Sequence, residues 1–89
     1  MITAIVLIKA EKGAVPKLGE DLVAVPGVSE VYSVTGDIDF IAMVRAKEHE
    51  DLADSVTRRI AQVSGVAHTE THVAFKAFSK HDLETLFAP

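Results

Sequence analysis

Apolar residues change their spacing along the chain, and each change marks a predicted element. An almost continuous apolar run over residues 2–10 predicts a buried strand. The next apolar positions recur at helical spacing, at Val15, Leu18, Leu22 and Val25. Pro16 suits the first turn of that helix, and Pro26 and Gly27 end it. The chain is therefore predicted to begin with a strand and an amphipathic helix.

The same order returns in the second half. Residues 40–46 predict another strand, and a second helical stripe follows at Leu52, Val56, Ile60 and Val63. Ser64 and Gly65 end that helix, and alternating residues predict a last strand from about 66 to 78. Ser79 and Asp82 have the spacing of a helix cap, which predicts a short C-terminal helix with apolar residues Leu83, Leu86 and Phe87.

A shift of 38 residues superimposes the two halves. The matched pairs are Ala4 with Ala42, Val6 with Val44, Leu18 with Val56, Leu22 with Ile60, Val25 with Val63, Gly27 with Gly65 and Val28 with Val66. Two such βαβ halves joined by a hairpin predict an α+β, ferredoxin-like βαββαβ fold. We expect a four-stranded antiparallel sheet with two helices on one face and a short C-terminal helix, in a single domain over residues 1–89.

Both faces of the predicted strands are apolar. Ile5 and Leu7 alternate with Ala4, Val6 and Ile8, and residues 40–44 show the same two-faced pattern. Two helices can cover only one face of such a sheet, so a second copy of the chain is expected to cover the other. The sequence therefore predicts an obligate homodimer.

Composition removes several classes of function. Thirteen acidic and nine basic residues give a formal net charge of −4, which is the wrong sign for direct binding to nucleic acid. The absence of cysteine excludes thiolate nucleophiles and thiolate metal sites. The apolar start lacks a basic leader and is too short to span a bilayer, so we expect a cytoplasmic protein without membrane contact.

The segment Val34-Thr35-Gly36-Asp37-Ile38-Asp39 joins two apolar runs. Gly36 and Asp37 fit a two-residue type II′ turn between strands near 28–35 and 38–45. Asp carboxylates accept from an ammonium, and Thr hydroxyls and backbone N–H groups donate to a carboxylate, which favours capture of a small ligand over chemistry. The competing interpretation is an ordinary tight turn, for which Gly-Asp is also suitable.

Three segments together resemble a known family. They are Pro26-Gly27-Val28, the Val31-Tyr32-x-Val34-Thr35-Gly36-Asp37-x-Asp39 run and Gly65-Val66-x-x-Thr69-x-Thr71. This pattern, over residues 2–77, resembles the effector-binding domain of the Lrp/AsnC, or feast/famine, transcriptional regulators. Because Met1 opens directly on the first strand, the chain resembles the stand-alone form without the DNA-binding helix-turn-helix.

The resemblance implies dimers paired through their sheets, further association into rings such as octamers, and amino acids bound in clefts between dimers. Thr35, Gly36, Asp37 and Asp39 would face the ligand from one subunit, and Thr69 and Thr71 from a neighbouring one. Signalling would run through altered assembly, including association with full-length Lrp/AsnC regulators. The resemblance leaves open which Asp takes the ammonium of the ligand.

Other candidate residues have structural interpretations. His68, Glu70 and His72 share one strand face and have the spacing of metal ligands, but a solvated or interfacial face gives the same pattern, so we expect neither metal nor cofactor. His49 and His81 are expected on the surface. Tyr32 is expected to pack on its strand, although it could line the ligand cleft, and Phe75 and Phe78 are expected at an interface or in the core.

Two other classes of function remain open at this point. One is a small dimeric α+β-barrel enzyme, of oxygenase or isomerase type, although no nucleophile and base with recognisable spacing occur together. The other is an oligomerisation module without a ligand. The sequence favours the effector-binding module over both.

Overall fold

The computed structural model describes residues 1–78 and residue 80. The elements are β1 (Ile2–Ala10), α1 (Val15–Val23), β2 (Val28–Ser33), β3 (Phe40–Ala46), α2 (His49–Ala53), a π-helical segment that continues α2 (Asp54–Ile60), and β4 (Val66–Ala74). All strand pairs are antiparallel, and the sheet order is β2-β3-β1-β4. The ferredoxin-like prediction is confirmed, while the predicted C-terminal helix lies outside the described residues.

The core lies between one face of the sheet and the helices. Alternate residues of β1 and β3 are buried there, because successive side chains of a strand point to opposite faces. Leu18 and Leu22 of α1 and Leu52, Val56 and Ile60 of the second helix complete this core. Helix α1 packs on β2 and β3, and α2 packs on β3 and β1. The predicted helical stripes are therefore the buried faces of the helices, except at Val15, which is 41% exposed.

The opposite side of the sheet, here called the outer face, is covered by neither helix. Its centre is apolar, with Ile5 and Leu7 on β1 paired across the sheet with Met43 and Ile41 on β3. All four side chains remain partly exposed in the single chain. The prediction of a sheet that is apolar on both faces is confirmed.

The 38-residue repeat is also present in the backbone. The N–H of Val25 donates to Leu22 O and the N–H of Val63 donates to Ile60 O, both at 3.1 Å. Each turn then passes through a glycine with positive φ, +95° at Gly27 and +99° at Gly65. A side chain at either position would be strained, because L residues rarely adopt this conformation.

Two features differ from the sequence prediction. Strand β4 ends at Ala74 and not at Phe78, because Ala74 pairs with Thr3 and β1, the neighbour of β4 in the sheet, begins at Ile2. Phe75 and Phe78 consequently lie outside the core and are highly exposed in the single chain. The predicted second helix is α-helical only at its start. Its wider continuation shows in the i to i−5 bond from Ala61 N–H to Val56 O at 3.1 Å.

No helix among the described residues is both long enough and apolar enough to cross a membrane.

Candidate functional site

The loop between β2 and β3, residues 34–39, is here called the hairpin loop. Ser33 pairs with Phe40 and Tyr32 with Ile41, so the register is centred on Gly36 and Asp37 as predicted. The predicted two-residue type II′ turn is wrong, because β2 ends at Ser33 and β3 begins only at Phe40, which leaves a loop of six residues. It is closed by the N–H of Val34, which donates to Asp39 O at 3.0 Å. Gly36 has φ +109°, the positive value that the glycine was predicted to supply.

Asp39 fastens the hairpin loop to the end of β1. Its backbone N–H donates to Ile8 O at 2.9 Å. Its carboxylate oxygen Oδ2 accepts from the N–H of Ala10 at 2.7 Å, in a partly buried position. One oxygen of this predicted ligand residue is therefore already engaged within the chain.

Asp37 lies at the exposed tip of the hairpin loop. Its backbone carbonyl accepts from Lys9 Nζ at 2.6 Å. Among the described residues, no hydrogen bond or ion pair engages its carboxylate. The Asp37 carboxylate and the Thr35 side chain are exposed at the same end of the sheet.

The sequence analysis missed Lys9. Its position follows from the pairing of β1 with β3, in which Ile8 lies opposite Phe40. Continuing that register by one residue places Lys9 opposite Asp39, beside the hairpin loop. The missing signal was therefore the register between strands that are not consecutive in the chain, which the β2–β3 hairpin alone does not supply.

Thr69 and Thr71 lie on β4, on the side of the sheet that faces the helices. Thr69 pairs with Ile8, so it lies at the same end of the sheet as the hairpin loop, two strands away from β3. Thr71 pairs with Val6 and lines a groove of about 280 Å³ between β4 and the second helix, with Val73, Leu52, Val56, Thr57, Ala53 and His49. No hairpin-loop residue lines this groove. A single chain thus brings the four hairpin residues together but leaves Thr71 apart from them.

Polar residues flank the apolar centre of the outer face. On β2, the Tyr32 hydroxyl donates to Glu30, and this hydrogen bond, with the negative charge of Glu30, raises the pKa of Tyr32. Arg45 Nη1 lies 3.7 Å from Glu30 Oε1. Tyr32 is 51% exposed, so about half of its surface is buried on the strand in the single chain.

On β4, His72 Nε2 lies 3.0 Å from Glu70 Oε2. Among the described residues, no group of three or more His, Asp or Glu side chains is placed to hold a metal ion. His49 lies on the surface, where it lines the groove beside α2, and His81 lies outside the described residues.

The comparisons with known proteins all indicate the same protein family. The model of the Lrp/AsnC ligand binding domain matches residues 3–83. The HTH-type transcriptional regulator FL11 of Pyrococcus furiosus is 33% identical over 75 residues, which are 84% of this chain and 49% of that regulator. The chain therefore spans about half the length of this regulator.

Two solved structures show the same fold. TTHA0845 from Thermus thermophilus is 49% identical with a TM-score of 0.82, over 90% of this chain and 100% of that one. The feast or famine regulatory protein from M. tuberculosis complexed with L-methionine is 24% identical with a TM-score of 0.74, over 89% of this chain and 53% of that one. At that identity the second likeness concerns the fold alone.

Proposed function

The chain belongs to the Lrp/AsnC ligand-binding domain family, and from this we propose that it is an effector-binding module whose ligand is an amino acid. The proposal rests on the structure of the hairpin loop. The loop is fastened to β1 through Asp39, while the carboxylate of Asp37 is exposed and unengaged by the described residues. This exposed carboxylate, at the same end of the sheet as the exposed Thr35 hydroxyl, suits a zwitterion, which needs both acceptors and donors.

The proposed site joins two subunits. Thr35, Gly36, Asp37 and Asp39 contribute from one subunit, and Thr69 and Thr71 from a neighbouring one. The separation of Thr71 from the hairpin loop within one chain supports such a shared site. The methionine complex of the M. tuberculosis relative makes an amino acid a reasonable class of ligand, and methionine a useful probe.

Assembly is proposed to occur at two levels. The outer face, with Ile5, Leu7, Ile41 and Met43, pairs with a second copy to form a homodimer, because the part of the chain that the structure describes leaves this apolar surface partly exposed. Dimers then associate into a ring, such as an octamer, with the ligand sites between them. Ligand binding would be read out as a change in this assembly.

Transcription is proposed to be affected indirectly. We propose that residues 1–89 form an effector domain that acts in the cytoplasm through full-length Lrp/AsnC regulators. FL11, which matches along about half its length, is named as a transcriptional regulator and not as an enzyme. A net charge of −4 disfavours direct contact with phosphates.

A thermal-shift screen of the twenty amino acids tests this function. A ligand that binds only the folded state raises the melting temperature as its concentration exceeds its Kd. We expect a saturable rise with at least one amino acid at millimolar concentration. If no amino acid shifts the melting temperature and calorimetry detects no heat of binding, the protein is an oligomerisation module without this ligand.

An electrophoretic shift assay tests the indirect action. We expect no shift of DNA by sub-micromolar protein at about 150 mM salt, since non-specific binding at physiological salt has Kd values of about 10⁻⁴ to 10⁻⁶ M. A shift that persists under these conditions would contradict regulation through a partner.

A further inference from the structure

Lys9 lies outside the Thr-Gly-Asp-x-Asp motif, yet its side chain reaches the hairpin loop. Its ammonium donates to the backbone carbonyl of Asp37 at 2.6 Å. Lys9 is the penultimate residue of β1, and its neighbour Ala10 donates its N–H to the Asp39 carboxylate at 2.7 Å. Two successive residues of β1 therefore hold two residues of the hairpin loop.

The Lys9 ammonium has N–H donors that the described residues do not use. An ammonium carries three N–H donors, and Asp37 O accepts one of them. No carboxylate of the described residues lies within 4.0 Å of Lys9 Nζ. The remaining donors point to solvent or to a ligand, because the side chain is exposed.

Opposite charges thus stand beside each other at the hairpin tip. Lys9 bonds to the carbonyl of the same residue whose carboxylate is unengaged by the described residues. An α-amino acid also carries its ammonium and its carboxylate close together, both attached to the α-carbon. The two charges of the ligand match the two charges of this pair when the ligand ammonium lies on the Asp37 side.

We propose that Lys9 is a residue of the effector site, with two roles. It holds the hairpin loop through the carbonyl of Asp37, and it donates to the carboxylate of the bound amino acid, while the Asp37 carboxylate accepts from the ammonium. Asp39 is a positioning residue that fixes the loop on β1. The ligand role rests on the function proposed above, whereas the loop-holding role does not.

This assignment predicts selectivity for a ligand with an unmodified carboxylate. A primary amide of the same amino acid keeps the ammonium and the side chain but loses the negative charge that Lys9 recognises. Charge-assisted hydrogen bonds are stronger than neutral ones, so the amide is expected to bind about tenfold or more weakly. The proposal therefore predicts energetic coupling between the Lys9 side chain and the carboxylate of the ligand.

A calorimetric cycle tests the ligand role. Wild type and Lys9→Met are each titrated with the tightest-binding amino acid from the thermal-shift screen and with its amide. Lys12→Met is the matched control, since it removes an exposed lysine of the neighbouring loop. We expect Lys9→Met to weaken binding of the amino acid about tenfold more than binding of its amide, because a loosened hairpin loop affects both ligands whereas only the amino acid loses the contact to its carboxylate.

Hydrogen exchange tests the loop-holding role without a ligand. Backbone amides of residues 34–39 are expected to exchange faster in Lys9→Met than in wild type and in Lys12→Met, with similar melting temperatures for all three. In the calorimetric cycle, an equal loss of affinity for the amino acid and for its amide in Lys9→Met would show that Lys9 only holds the loop. This result would overturn the proposed contact between Lys9 and the ligand carboxylate. Unchanged affinities would remove Lys9 from the site while leaving amino-acid binding intact.

Failure of the proposed function gives a different pattern. If wild type binds no amino acid, the ligand role of Lys9 falls with that function. Exchange in the hairpin loop then still decides whether Lys9 holds it, and unchanged exchange in Lys9→Met overturns that role as well.

Discussion

At the scale of single residues, Asp39 combines two backbone attachments of the hairpin loop. Its N–H bonds to Ile8 O, and its carboxylate accepts from the N–H of Ala10. Asp39→Asn retains a side-chain oxygen as acceptor, whereas Asp39→Ala leaves the partly buried N–H of Ala10 without one. We expect Asp39→Ala to lower the free energy of unfolding by about 1–3 kcal/mol and Asp39→Asn by clearly less. Urea denaturation of both variants measures the difference, and equal losses would show that the hydrogen bond contributes nothing.

Substitutions at two glycines distinguish the effect of backbone strain from that of a steric clash. Gly27 and Gly36 both have positive φ, but a Cβ at Gly27 would lie 2.6 Å from Ser55 Oγ, whereas nothing lies within 4 Å at Gly36. Gly36→Ala is expected to destabilise the fold by strain alone, about 1–2 kcal/mol. Gly27→Ala adds displacement of the buried Ser55 and is expected to cost more. Chemical denaturation checks the order, and a larger loss for Gly36→Ala would contradict it.

At the scale of elements, the internal repeat makes the two helices comparable. Leu22 on α1 and Ile60 on the π-helical segment are equivalent in the repeat, and both are fully buried. We expect Leu22→Ala and Ile60→Ala each to lower the free energy of unfolding by about 2–5 kcal/mol. Denaturation curves for the two variants measure this. A much smaller loss for Ile60→Ala would show that the wider helix relaxes around the cavity.

The elements were largely predictable because hydrophobic periodicity reports burial. The first strand, the stripe of α1 and the register around Gly36 and Asp37 agree with the structure. The end of β4 was not predictable from the alternation of residues, because it depends on where β1, the strand that pairs with β4, begins. The π-helical segment was also not predictable from the sequence, since the apolar stripe from Leu52 to Ile60 fits an α-helix equally well.

The candidate site was predictable only in part. The hairpin residues are consecutive, so a local motif reveals them. Lys9 is distant in sequence and reaches the loop through the β1–β3 register, and Thr71 is separated from the loop within one chain. Single-sequence patterns do not contain such pairings between distant strands.

At the scale of the whole molecule, the outer face is the proposed dimer interface. Leu7 lies at its apolar centre, paired with Ile41 across the sheet. We expect Leu7→Lys to abolish the dimer, because it places an unpaired charge in the proposed interface. Val15→Lys on α1, which is 41% exposed, is the control and should leave the dimer intact. Sedimentation analysis measures both, and a folded wild-type monomer in dilute solution would contradict the obligate dimer.

We propose that the hairpin loop binds an amino acid through the Asp37 carboxylate. The most direct measurement is titration calorimetry of wild type and Asp37→Asn with the same amino acid, beside their melting curves. Asp37→Asn keeps the backbone carbonyl that Lys9 contacts, so the fold should be unaffected. We expect saturable binding by wild type and an affinity about tenfold to a hundredfold lower for Asp37→Asn, at an unchanged melting temperature. Equal affinities in the two proteins would contradict it.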